Sequence, residues 1–144
     1  MPKLSASILL LAFSGYALAQ EYHQVSLTNN CGTGTPVFRY EGDTTPQGST
    51  TVDGPVIEGV AWLNGLAGDS CLDPGGDCSA VEFTLQNEDT NTAEIRDVTE
   101  PASFTFVGGG ACNGLGADCP SPSACTSTLT QCVGDNAGIH ITFC

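Results

Sequence analysis

Short runs in which apolar and polar residues alternate recur along the chain, separated by Gly, Pro, Asn and Asp, and this period of two predicts strands joined by turns. Val25 and Leu27 alternate with Gln24, Ser26 and Thr28. A second strand is predicted over residues 35–41, around Val37 and Tyr40. The stretch Val56 to Leu63 is almost continuously apolar and holds Trp62, the single Trp of the chain, so it is the expected central strand. Farther on, Val81, Phe83 and Leu85 point one way while Glu82, Thr84 and Gln86 point the other. Ile95 with Val98 and Phe104 with Phe106 mark two strands around Pro101, and Ile139, Ile141 and Phe143 mark the last. No window of about a dozen residues carries a clean helical stripe. Roughly seven or eight short strands is the number of a β-sandwich, so the expected class is all-β, with Trp62, Phe83, Phe104, Phe106 and Phe143 in its core.

The segment from Gly108 to Gly134 breaks the pattern. It has three successive glycines, four cysteines, Pro120, Pro122 and a Ser/Thr-rich stretch, with almost no bulky apolar residue. Too little surface is there to fold by packing alone, so the expectation is a cross-linked excursion from a single domain covering residues 20–144. The hydroxyls of Ser121 to Thr130 are candidates for O-linked sugar, with a plain solvated loop as the simpler reading. No Asn-x-Ser/Thr triplet occurs, so N-linked sugar is not expected.

Residues 1–19 have a polar start with Lys3, an apolar stretch from Ile8 to Phe13 extended by Tyr16 to Leu18, and Ala17-Leu18-Ala19 before Gln20. These are the three parts of a secretory signal peptide, and the apolar part is too short to span about 30 Å of hydrocarbon comfortably. The expected product is secreted and extracellular. Removing Lys3 leaves Arg39 and Arg96 against 16 acids, a formal charge of 2 − 16 = −14. Such a charge repels phosphate backbones and anionic bilayers, so neither nucleic acid nor a membrane is an expected partner.

All eight cysteines follow the signal, at 31, 71, 78, 112, 119, 125, 132 and 144. An even number in an exported chain implies disulfides. A zinc site needs tighter spacing than the gaps of five or six residues found here, so no metal is expected.

Two chain ends carry a resemblance: Leu27-Thr28-Asn29-Asn30-Cys31 near the mature start and Ile141-Thr142-Phe143-Cys144 at the finish. Between them, Gly75-Gly76-Asp77-Cys78 precedes the strand Val81-Glu82-Phe83-Thr84-Leu85, and Gly116 to Cys119 reads Gly-Ala-Asp-Cys. In order and coverage, from residue 25 to 144, this resembles the thaumatin-like proteins, and in particular the short secreted members from basidiomycete fungi. The resemblance implies a thaumatin-like β-sandwich without the full second domain. It implies the bridge Cys31–Cys144, and it favours Cys112–Cys132 nested around Cys119–Cys125; spacing alone leaves the pairing of those last four open. Cys71–Cys78 would be a local staple.

The resemblance further implies a β-1,3-glucan of the cell wall, or an extracellular protein, as partner of a non-enzymatic monomer that needs no cofactor. In the acidic patch of the larger relatives Glu82 matches a Glu, Glu94 stands near an Asp, and the patch arginine has no match within Cys78 to Val81. Glu82 and Glu94, with Tyr40 as a ring able to face a ligand beside Tyr22, are the candidate ligand-binding residues.

Other chemistry is weaker. Glu82 and Glu94 on adjacent strands could serve as a glycosidase pair, which makes a weak endo-β-1,3-glucanase the alternative, and a secreted effector or defence protein a second one. Sixteen acids on a small surface produce such pairs by chance. Asp69, Asp73 and Asp77 recur every four residues but lack the ligand count of a calcium loop. His23 and His140 lie in the first and last strands, expected as neighbouring surface histidines at polar positions.

Overall fold

A computed structural model describes residues 20–66, 78–125 and 129–144. Among these residues the chain forms eleven strands, which are β1 Tyr22–Asn29, β2 Thr35–Tyr40, β3 Asp43–Gln47, β4 Thr50–Asp53, β5 Val56–Asn64, β6 Ala80–Leu85, β7 Thr90–Arg96, β8 Ala102–Val107, β9 Gly116–Cys119, β10 Leu129–Val133 and β11 Gly138–Phe143. A single 3-10 turn at Gly110–Cys112 interrupts them. The strands make two sheets, one of five in the order β4-β1-β11-β8-β9 and one of six in the order β10-β7-β6-β5-β2-β3. The fold is all-β.

Alternation decides which side chains meet. On β8 and β11, Phe104, Phe106, Ile139, Ile141 and Phe143 are all buried, and across the core they face Phe38, Val81, Phe83, Leu85 and Ile95 of the six-stranded sheet. Phe104 and Phe106 pack edge to face with ring centroids 5.8 Å apart. The two chain ends meet in a parallel pair, β1 with β11, in which Val25 is opposite Ile139 and Asn29 is opposite Phe143. Parallel neighbours cannot be joined by a tight turn, and here the whole domain lies between them.

More strands form than the seven or eight expected, because four edge strands have little apolar alternation. The β3 strand is Asp-Thr-Thr-Pro-Gln and β4 is Thr-Thr-Val-Asp, with Val52 as their one buried residue. Each blunts a sheet edge with charge or proline, and the short link between them carries the chain from one sheet to the other. The opposite flank is closed by the stretch expected to be an excursion. Instead of leaving the sandwich, β9 pairs with β8 in one sheet and β10 with β7 in the other. Val98, expected in a strand with Ile95, lies beyond the end of β7 at Arg96.

Cys112 bonds Cys132 across these two edges, Cys119 bonds Cys125, and Cys31 bonds Cys144 at the β1/β11 end. Bridges of this number are typical of proteins from oxidising, extracellular surroundings. Cys78 is buried and disulfide-bonded, while Cys71, its expected partner, lies outside the described residues, as do Asp69, Asp73 and Asp77. Among the described residues no helix is long and apolar enough to cross a membrane.

Buried polar side chains pin the turns. Ser79 Oγ donates to Glu100 O at 2.8 Å and accepts from the backbone N–H groups of Thr99 at 2.9 Å and Glu100 at 2.8 Å. Asn91, fully buried, accepts from Gln86 N at 3.0 Å and donates to Gly134 O at 2.9 Å. Each satisfies backbone groups that would otherwise be buried without a partner.

Candidate functional site

The outer face of the six-stranded sheet, opposite the core, carries a groove of about 750 Å³. Its floor follows from period two. On β6 the core takes Val81, Phe83 and Leu85, so Glu82 and Thr84 point outward; on β7 the core takes Asn91, Ala93 and Ile95, so Thr92, Glu94 and Arg96 point outward. Glu82 and Glu94 are directly opposite each other in the β6/β7 register. Like charges placed so are repulsive unless something compensates. Arg96 does so, with Nε 3.3 Å from Glu82 Oε2 and 3.1 Å from Glu94 Oε2.

Arg96 is therefore the arginine beside the acidic pair. No basic residue stands within Cys78 to Val81, yet β7 supplies one from the next strand. Its signal in the sequence is simple: two residues after Glu94 on an alternating strand is the same face.

Two further carboxylates line the groove, Glu41 just after β2 and Glu58 on β5, and neither is among the residues expected there from the sequence. Between Val56, opposite Leu85, and Gly59, opposite Phe83, the β5 strand carries one residue more than β6, a bulge. Glu58 sits there with φ 51°, in the left-handed region, and its N–H donates to Thr84 Oγ1 at 3.3 Å. Gly59 beside it has no room for a side chain, since a Cβ would lie 2.7 Å from Phe83 Cε2. Left-handed geometry costs a non-glycine residue roughly 1–2 kcal/mol, against about 0.5–1 for the extra freedom of an unfolded glycine. Glu58→Gly is expected to raise the unfolding free energy by up to about 1 kcal/mol, read by urea denaturation; a destabilised variant would contradict the strain.

The remaining walls are mixed. Tyr40 lines the groove, half-buried, with its ring stacked on Phe38 at a centroid distance of 6.2 Å. Arg39 reaches the groove from β2 with its guanidinium carbon 5.9 Å from the Trp62 ring centre. Trp62 is buried, as expected, but lies outside the main core cluster, on the outer face with Arg39. Its apolar neighbours on β5 run unbroken from Val60 to Leu63, so alternation gives no phase there. Leu129, half exposed on β10, is opposite Glu94 and gives the groove an apolar rim. Tyr22, the other ring expected to face a ligand, is exposed but does not line this groove.

The histidines are not neighbours on the surface. His23 shares its phase with Val25 and is fully buried, whereas His140 points the other way, 3.4 Å from Thr28 Oγ1. The reason is alternation itself: residues 23 and 25 lie on one face of β1, while 140 lies between the inward Ile139 and Ile141. His23 Nδ1 donates to Ala137 O at 2.7 Å, and Nε2 lies 3.1 Å from Glu21 Oε1, which also accepts from Asn87 N at 2.7 Å. Desolvation pushes the Glu21 carboxyl up, but the Asn87 N–H and the bond and charge of His23 outweigh it, against a small opposing effect of Asp135, and hold it below the ordinary Glu value.

A carboxyl held low in the folded state stabilises above its unfolded value and loses that stabilisation as pH falls through the folded one. Glu21→Gln is thus expected to be less stable than wild type at neutral pH and to converge on it as the pH falls below the ordinary Glu value and through the lowered folded one, in stability curves taken across pH. A gap that persists unchanged into acid would assign Glu21 a role that does not depend on its charge.

The chemistry available in the groove is that of a hydrogen-bonding surface. Four carboxylates (Glu41, Glu58, Glu82 and Glu94), a phenol, two guanidinium groups and threonine hydroxyls alternate with apolar patches at Val60 and Leu129. Glycoside cleavage needs two carboxyl groups on opposite sides of the scissile bond. Glu82 and Glu94 instead stand side by side on one sheet face, joined by Arg96, with half and about a third of their side chains exposed. Among the described residues no group of three or more His, Cys, Asp or Glu can hold a metal ion. No family model and no curated protein matches this chain.

Proposed function

We propose that this is a secreted, non-enzymatic fungal protein of the thaumatin-like type, acting outside the cell as a wall-associated protein that binds β-1,3-glucan in the outer-face groove. The observation that carries the reading is the Glu82–Arg96–Glu94 arrangement on the groove floor, a charge-compensated set of acceptors and donors suited to sugar hydroxyls. Val60 and Leu129 offer apolar surface to the C–H faces of a sugar ring, and Tyr40 a ring and a hydroxyl. The signal-like residues 1–19 and the disulfides support the extracellular setting.

Arg96 orders the two acceptors. Arg96→Ala is expected to weaken binding of a soluble β-1,3-glucan about tenfold, by calorimetry, the size of one lost hydrogen bond to a charged group. Its effect on folding stability should stay under about 1 kcal/mol, because the pair is solvent-exposed. Unchanged affinity in this variant would remove the groove from the reading. The alternative, cleavage by Glu82 and Glu94, predicts release of reducing sugar that disappears in Glu82→Gln.

A further inference from the structure

We infer that the secreted chain begins with a pyroglutamate formed from Gln20, so that the mature protein has no free α-amine. This rests on the reading of residues 1–19 as a cleaved leader, and the structure adds the geometry that makes Gln20 reactive. Gln20 is exposed, and among the described residues no hydrogen bond engages its side chain. From the next residue onward the chain is held. Glu21 O accepts from Gly54 N at 2.9 Å, Glu21 Oε1 accepts from Asn87 N at 2.7 Å, and Tyr22 N donates to Asn136 Oδ1 at 3.1 Å. Cleavage before Gln20 therefore leaves one exposed residue, bearing both an amine and a primary amide, next to a held chain.

The step needs no other reactant. The α-amino nitrogen attacks the side-chain carbonyl carbon Cδ and forms the N–Cδ bond of a five-membered lactam. The Cδ–Nε2 bond breaks, and Nε2 departs as ammonia with one proton taken from the amine. Only the uncharged amine attacks, and an α-amino group of ordinary pKa is roughly a tenth unprotonated at pH 7. The neighbouring Glu21 carboxylate is already engaged by Asn87 and His23, which leaves less of it to hold the amine as an ammonium ion.

A lactam at Gln20 would leave aminopeptidases no free amine to act on, which suits an extracellular life among proteases.

The test uses protein secreted through its own leader. Its intact mass should be that of residues 20–144, with disulfides formed, less one ammonia. Amino-terminal sequencing should be blocked, and after treatment with pyroglutamyl aminopeptidase it should read from Glu21. A Gln20→Ala variant, secreted in parallel, should sequence at once from its new first residue and lose it to a general aminopeptidase that leaves the wild type intact. Direct reading of Gln20 in the wild type overturns the lactam while leaving the leader reading in place. A start at any other residue overturns both.

Discussion

Replacing Cys31 and Cys144 together by alanine is expected to lower the unfolding free energy by about 4–5 kcal/mol, the largest loss among the three described bridges. The bridge spans a sequence separation of 113, so without it the unfolded ensemble regains nearly the whole freedom of the domain. Its position makes the loss direct. Cys31 and Cys144 follow the strands β1 and β11, whose parallel pairing brings together the two ends of the domain with no local turn to help. Small domains are stable by about 5–15 kcal/mol, so the variant should sit near the edge of folding at physiological temperature. Guanidinium unfolding of the variant, with the other bridges intact, measures the difference. A loss under about 1 kcal/mol would mean that the β1/β11 hydrogen bonds and the contacts of Val25 with Ile139 hold the ends unaided, contrary to the entropy argument.

Phe104→Ala is expected to cost about 3–5 kcal/mol. Phe104 is buried at the centre of the core, on β8 between β11 and β9, and its ring meets the Phe106 edge. Its backbone is equally constrained: a Cβ on Gly116, which is paired with the next residue Thr105, would lie 2.0 Å from Phe104 O, so β9 approaches β8 as closely as a glycine allows. The surrounding sheet cannot collapse to fill the space left by the ring, which is the condition for a cost at the high end of the range. A shift in the denaturation midpoint with unchanged slope would report this loss, whereas a cost below about 1 kcal/mol would show a core able to repack.

These two expectations rest on parts of the fold that the sequence made legible. Alternation in residues 81–86 and 139–143 gave the inward and outward faces of β6 and β11, and with them the outward position of Glu82. The same rule placed Glu94 beside it. Where alternation fails, the reading fails for a physical reason. The edge strands β3 and β4 are threonine-rich and mostly exposed, so they have no buried face to reveal them. The strands β9 and β10 are short, are tied by disulfides, and have little apolar alternation, and β10 pairs with β7, three strands earlier in the chain. Glu58 escaped because a bulge shifts the phase of β5, and Arg96 because the family pattern directed attention to an earlier strand. His23 was misplaced by its polarity alone, although its position two residues before Val25 put it on the inner face.

The charge also gains a meaning. Beyond residues 1–19, the only Lys or Arg residues are Arg39 and Arg96, and both stand at the groove, one lining it and one joining its two floor carboxylates. In a chain of such acidity, this face is where both described arginines meet carboxylate acceptors. The central claim is binding without cleavage on that face.

One measurement tests it most directly: titrate a soluble β-1,3-glucan into wild type and into the Glu82→Gln, Glu94→Gln double variant, then assay the same samples for new reducing ends. The account predicts saturable binding by the wild type, binding at least about tenfold weaker in the variant, and no reducing ends in either. Absence of binding by the wild type, or reducing ends that appear with wild type and vanish with the variant, would contradict it.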